Sequence, residues 1–159
     1  MFSQVKRMGV SLGAAALSML AMLGDASAGN LTTHGAAFQP YNAGEANDFD
    51  RYPYGIRASA SSARWAIASV TRSPVPTDYQ YFAIQGNNAS GQTTYFTLYA
   101  YDLSGNFRDS VSLESSDANY WAGSTLSVGG YNDDVYVSVL ALLPASYGGA
   151  VYGVTAYQW

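Results

Sequence analysis

From Leu31 onward the chain alternates apolar and polar residues in short runs broken by Gly, Asn, Asp, Ser and Pro. No stretch carries apolar residues at i, i+3, i+4 and i+7, so the period is that of strands rather than helices. Gln92–Tyr101 is the clearest run, with Phe96, Leu98 and Ala100 on one face and Tyr95, Thr97, Tyr99 and Tyr101 on the other. Phe107–Glu114 repeats the pattern, placing Phe107, Val111 and Leu113 inward and Arg108, Ser110, Ser112 and Glu114 outward. Asp102-Leu-Ser-Gly-Asn106 between them reads as a hairpin loop. Val135, Val137, Val139, Ala141 and Leu143 form one face of a third strand, which Pro144 stops. Ala150–Trp159 is a fourth, with Val151, Thr155, Tyr157 and Trp159 alternating along it.

Weaker strands are expected at Leu31–Tyr41 (in two pieces), Tyr54–Ala58, Ala63–Val70 and Asp78–Gln85. Thr71–Thr77 reads as a loop, because Pro74 and Pro76 deny a ladder its donors. Asn87–Gly91 reads as a turn, and Ser115–Tyr131 as an irregular stretch with short strands near Tyr120-Trp121 and at Thr125–Val128. About eight strands at spacings of 8–15 residues, without a helix, predict one antiparallel β-sandwich or jelly-roll-like domain.

The first thirty residues differ in kind. Lys6 and Arg7 precede the apolar run Val10–Leu23, and Ala26-Ser-Ala28 follows it. This is the pattern of a secretory signal peptide over residues 1–28, cleaved between Ala28 and Gly29. The run is too short to span a bilayer comfortably. Removing it takes away the only Lys and all four Met, and leaves five Arg against ten acids, a net charge of −5. All 14 tyrosines remain. An acidic surface poor in cations argues against nucleic acid and anionic lipid as partners. The expected address is outside the cytoplasm: secreted, at the cell surface, or in a periplasm.

Candidate chemistry is thin. The chain has no Cys and a single His, His34, so a disulfide scaffold, a thiol nucleophile and a multi-histidine zinc site are all excluded. No Gly-x-Ser-x-Gly elbow exists for His34 to serve as base, and no pair of carboxylates stands out for glycoside hydrolysis. The expectation is a protein that is not an enzyme and carries no cofactor. Calcium is the one metal with a candidate: Glu45, Asp48 and Asp50 in one segment and Asp133-Asp134 in another group hard oxygens, though neither matches an EF-hand loop.

The second half resembles a group of small, uncharacterised secreted β-sandwich proteins of Gram-negative bacteria. The resemblance lies in Val70-Thr-Arg-Ser-Pro74, Thr94-Tyr-Phe-Thr-Leu-Tyr99 with Gly105, Tyr136–Pro144 and Val151-Tyr-Gly-Val-Thr-Ala156. It implies fold and address, and no activity. Members of that group commonly carry cysteines near the positions held here by Ala68, Phe96 and Ala141, so apolar packing would replace a disulfide.

The aromatic residues are the chief functional lead, since exposed Tyr and Trp stack on sugar rings or anchor protein contacts at low entropic cost. Tyr95, Tyr99 and Tyr101 share the face opposite the apolar set; Tyr120-Trp121 and Tyr52-Pro-Tyr54 sit in polar surroundings. The first expectation is a structural or adhesive protein of the cell surface or extracellular matrix. It would self-assemble into oligomers or filaments through Tyr-rich faces, with Leu31–Tyr41 or the C-terminal strand pairing to a neighbour's edge. One alternative is a carbohydrate-binding module in which Tyr120, Trp121 and Trp65 form a platform for extracellular polysaccharide. A second is a small outer-membrane barrel, suggested by the terminal aromatic strand but opposed by short strands and polar outward faces.

Overall fold

Eleven strands and two 3₁₀ turns make up the described part of the chain, residues 30–70, 78–128 and 135–157 of a computed structural model. In chain order the strands are β1 Leu31–His34, β2 Gln39–Pro40, β3 Phe49–Tyr52, β4 Gly55–Ala58, β5 Arg64–Val70, β6 Tyr79–Asn88, β7 Thr94–Asp102, β8 Phe107–Ser115, β9 Asn119–Ser127, β10 Val135–Leu143 and β11 Gly149–Tyr157. They form two antiparallel sheets. One runs β3-β4-β11-β6-β9 with β1 also on β11; the other runs β2-β5-β10-β7-β8. The proposed cleavage site at Ala28 and Gly29 lies outside the described residues, as do Asp133 and Asp134 and the Thr71–Thr77 loop.

The strong alternating segments become the long strands because their apolar faces are buried between the sheets. Phe82 and Ile84 of β6, Val151, Val154 and Ala156 of β11, and Leu126 of β9 meet Phe96 and Leu98 of β7 and Val137, Val139 and Ala141 of β10. Ala68, Phe96 and Ala141 all lie in this buried layer, with Phe96 directly across from Ala141. The core is packed between two separate sheets, which is a sandwich and not the closed barrel of the second alternative. No helix among the described residues is long and apolar enough to cross a membrane.

Several expectations change in detail. There are eleven strands rather than about eight, because Leu31–Tyr41 splits between the two sheets and Phe49–Tyr52 forms an unforeseen hairpin with β4. His34 stands between the first two pieces, where its Nδ1 accepts from the Ala36 N–H and caps the following turn. Within the stretch expected to be irregular, Asn119–Ser127 is one continuous strand, β9, paired over its whole length with β6. Asn88, expected in a turn, ends β6 as a buried clamp: its Nδ2 donates to the Ser115 and Asp117 carbonyls, and its Oδ1 accepts from Thr94 at 2.6 Å.

Two bulges reverse the expected facing of side chains, since one extra residue shifts everything beyond it to the other face. Between Ala100 and Tyr101 the register of β7 with β8 slips, so Phe107 is not inward but 57% exposed beside Tyr101. Between Val151 and Gly153 the register of β11 with β6 slips at Tyr152. Val151 therefore joins the core, while Thr155 and Tyr157 face outward.

Assembly through a terminal edge also meets a different geometry. β11 is an interior strand: β6 occupies one side, and β4 and β1 share the other. Its backbone donors and acceptors are already spent within the sheet, so it offers no edge to a neighbour.

Candidate functional site

The β3–β4 hairpin turns through Tyr52-Pro-Tyr54, where the fixed φ of Pro53 suits a tight turn. The turn brings Tyr52 and Tyr54 together as stacked rings, 5.2 Å apart and inclined by only 9°. Tyr54 is 47% exposed and meets Tyr152 edge to face at 5.6 Å. Tyr152 is the extra residue of the β11 bulge, a position that lets its ring reach the same outward face as its neighbour across the hairpin.

Beyond Tyr152 the outward face continues onto β6 and β9. Gln85 and Trp121 are cross-strand partners, both exposed, and Asn119 stands exposed two residues before Trp121. Gln85, Gly86, Asn119, Tyr120, Trp121 and Tyr152 line an open depression of about 340 Å³. Rings thus bound the depression on two sides, and two primary amides, each with both donor and acceptor capacity, stand within it. By strand spacing the row from β4 to β9 spans about 14 Å, close to three hexose units laid across the strands.

A second line of rings supports Trp121 from below. Trp121 meets Tyr157 edge-on at 5.8 Å, and Tyr157 meets Tyr81 at 5.7 Å. Tyr81 in turn lies over Gly123, where an added Cβ would fall 2.2 Å from its hydroxyl. The bare glycine is what allows the ring to lie flat against the sheet.

Tyr120 and Trp121, grouped by the sequence reading, part company because successive residues of a strand point to opposite faces. Trp121 is 57% exposed on the outside; Tyr120 is only 4% exposed, inside the sandwich. The Tyr120 ring packs on Phe96 at 5.5 Å, and its hydroxyl donates to the Ala150 carbonyl at 2.7 Å. Burial pushes that hydroxyl above the usual phenol range. Trp65 lies on the other sheet, paired with Leu142 on β10. The three residues therefore do not make one platform, and only Trp121 belongs to the row.

Tyr95, Tyr99 and Tyr101 do share one outward face, that of the five-stranded sheet. Tyr99 stacks on Tyr101 at 6.1 Å and 30°, and Tyr101 on its cross-strand partner Tyr136 at 5.9 Å and 22°. These rings lie largely on one another. Tyr95 stands apart across from Leu142 and Glu114.

Of the calcium candidates, Glu45, Asp48 and Asp50 are among the described residues. Asp48 Oδ2 accepts from Arg64 Nε at 2.6 Å, Glu45 approaches the same nitrogen at 3.9 Å, and Asp50 accepts from the Tyr147 hydroxyl. Among the described residues no three His, Asp or Glu side chains group as a metal cage.

Tyr52 and Tyr54 were among the aromatic leads of the sequence; Tyr152, Gln85 and Asn119 were not singled out by it. The one signal for Tyr152 was Gly153 inside a strand pattern, which is a mark of a bulge. Nothing in the sequence tied Gln85 to Trp121; that needs the β6–β9 register.

No family model matches the chain, and no curated protein resembles it in sequence. Solved structures similar to it include a xylan-binding module, CBM15, at 12% identity and TM-score 0.47, covering 82% of this chain and 97% of that one. Another is TmCBM61, solved with β-1,4-galactotriose, at 13% identity and TM-score 0.45, covering 82% and 88%. A third is a Podospora anserina GH26-CBM35 β-(1,4)-mannanase at 11% identity and TM-score 0.43, covering 82% of this chain and 28% of that one.

Proposed function

We propose that the protein is a non-enzymatic, extracytoplasmic carbohydrate-binding module that holds a polysaccharide across the outer face of its six-stranded sheet. The observation that carries this reading is the depression between Tyr152 and Trp121, with Gln85 and Asn119 inside it and the Tyr52–Tyr54 pair continuing the row. Sugar rings present apolar C–H faces and a rim of hydroxyls. Aromatic faces take the former, and primary amides, which both donate and accept, take the latter. An open, shallow surface suits a chain that passes through, whereas a small molecule is held in a deeper cavity.

The remaining roles follow from position. Trp121 and Tyr54 supply stacking at the two ends, Tyr152 divides the row, and Gln85 and Asn119 select hydroxyl orientation. An adhesive role at the cell surface or in the matrix would then be a consequence of holding polysaccharide, with no need for strand exchange between copies. Affinity electrophoresis and calorimetry against a panel of soluble polysaccharides test the reading. Binding to at least one of them, lost on Trp121→Ala and kept on Tyr95→Ala, is the expected result. Retardation by none, or equal loss in both variants, overturns it.

A further inference from the structure

Four arginines lie in the described residues, and two are committed. Arg64 is paired with Asp48 and Glu45, and Arg108 with Asp102. The other two, Arg51 and Arg57, both lie on the β3–β4 hairpin that carries Tyr52 and Tyr54. Arg57 sits across from Asp50 on one side and Ala150 on the other, one position along from Gly55 and the aromatic row. Its guanidinium rests over the Tyr52 ring at 5.5 Å. Its Nε is shielded from solvent and has no hydrogen-bond partner. The Asp50 carboxylate, the nearest candidate across the strand pair, is engaged by the Tyr147 hydroxyl. Native folds rarely leave a buried charged donor without an acceptor, and such a group calls for an explanation.

Resting on the carbohydrate reading above, we propose that the glycan held by this row carries carboxylates, as in a uronate-containing polysaccharide, and that Arg57 is the residue that reads them. A planar guanidinium fits a carboxylate with two parallel N–H···O bonds, and its stacking on Tyr52 fixes the plane in which that fork is offered. The overall acidity of the chain does not oppose this locally. Arg57 lies at the Tyr52–Tyr54 end of the row, so selection by charge operates there and stacking operates at Trp121; Arg51, across from buried Ile56, belongs to the other side of the hairpin.

The test uses pairs of glycans that differ only in charge: polygalacturonate, alginate and glucuronoxylan fragments, each beside its carboxyl-reduced counterpart. Binding to the intact protein is measured by calorimetry at low and high salt. The expected result is that at least one acidic member binds tenfold or more tightly than its reduced partner. Arg57→Gln should bring the two to equal affinity by weakening binding of the acidic member, and Arg57→Lys should restore only part of the difference. Melting temperatures of both variants check that the fold persists. Equal affinity for acidic and reduced members, or a uniform loss in Arg57→Gln, overturns the inference and leaves the platform standing. No binding by any pair, together with indifference to Trp121→Ala, removes the platform and the inference with it.

Discussion

Residues 120 and 121 are neighbours in sequence and separate functions in the structure, which makes them the sharpest test of the site. Tyr120→Phe removes one hydroxyl. That hydroxyl donates 2.7 Å to the Ala150 carbonyl in a region closed to solvent, and nothing else changes in shape. Losing a buried hydrogen bond while leaving its partner desolvated costs about 1–2 kcal/mol. In a domain of this size each kcal/mol moves the melting temperature by about 3–5 °C. The variant should therefore melt roughly 3–10 °C lower, and Tyr120→Ala, which also empties a ring-sized space against Phe96, should lose about 3–5 kcal/mol.

Trp121→Ala should do the reverse. The indole is more than half exposed and has one ring contact, edge-on to Tyr157, so at most about 1 kcal/mol of stability goes with it. Binding should suffer far more. An aromatic anchor of an interface is worth about 2 kcal/mol or more, and each 1.4 kcal/mol is about tenfold in affinity. Differential scanning calorimetry and titration calorimetry on the same two preparations give a double dissociation: a cold-shifted Tyr120→Phe that binds normally, and a stable Trp121→Ala that does not. A stable Tyr120→Phe, or a Trp121→Ala with full affinity, would refute the assignment of faces on which the site rests.

Three further outcomes probe the frame. At Gly86 an added Cβ would lie 2.0 Å from the Ala150 oxygen and 2.2 Å from the Tyr120 hydroxyl, so Gly86→Ala should lower the urea midpoint by the equivalent of about 3 kcal/mol; a midpoint near wild type counts against the packing of Tyr120 over that glycine. Asp102 is held at about 2, below the usual 3.8, because the Asn106 side-chain amide and then its backbone N–H donate to the carboxylate, with Arg108 also paired to it. Its stabilising contribution is present above about pH 4 and is lost as pH falls toward 2, so Asp102→Asn should flatten the melting-temperature profile over that window, and an unchanged acid limb would contradict it. Ser146 and Tyr147 both take positive φ, at 52° and 63°, in the β10–β11 turn; Ser146→Gly should relieve about 0.5–1 kcal/mol of that strain, read as a small rise in melting temperature.

The period-two pattern disclosed β5, β6, β7, β8, β10 and β11 nearly residue by residue, because each buries one full face and the pleat leaves no other solution. It could not disclose which sheet each strand joins. Leu31–His34 and Gln39–Pro40 look alike in sequence, yet one pairs with β11 and the other with β5, a choice made by long-range contacts. The bulges escaped for a related reason. A register slip leaves the composition of a strand untouched while reversing its faces, which is how Phe107 came to be placed inward and Val151 to be grouped with Thr155 and Tyr157. Asp109, on the apolar side of β8, shows why a polar residue there need not be an error. Its carboxylate accepts from the Ser127 N–H at 2.8 Å and ties the edges of the two sheets together.

The tyrosines that dominate the composition are the residues that distinguish the two outer faces. A chain with so few charges must cover two sheets with something other than Lys and Glu, and Tyr does so by laying an apolar ring on the strand while keeping its hydroxyl in water. On the five-stranded sheet the rings cover one another: Tyr99, Tyr101 and Tyr136 stack at small angles, and Phe107 closes the end of the ladder. Their faces are already in use, which is the cross-strand stabilisation expected of any sheet. On the six-stranded sheet Tyr52 and Tyr54 also stack, but the contacts of Trp121 with Tyr157 and of Tyr54 with Tyr152 are edge-on, at 67° and 84°. An edge contact uses the face of only one partner. Between these two edge-on pairs lies a gap bridged by Gln85 and Asn119 instead of by another ring. It is the incompleteness of this second ladder, more than the number of its rings, that supports its proposal as the binding face.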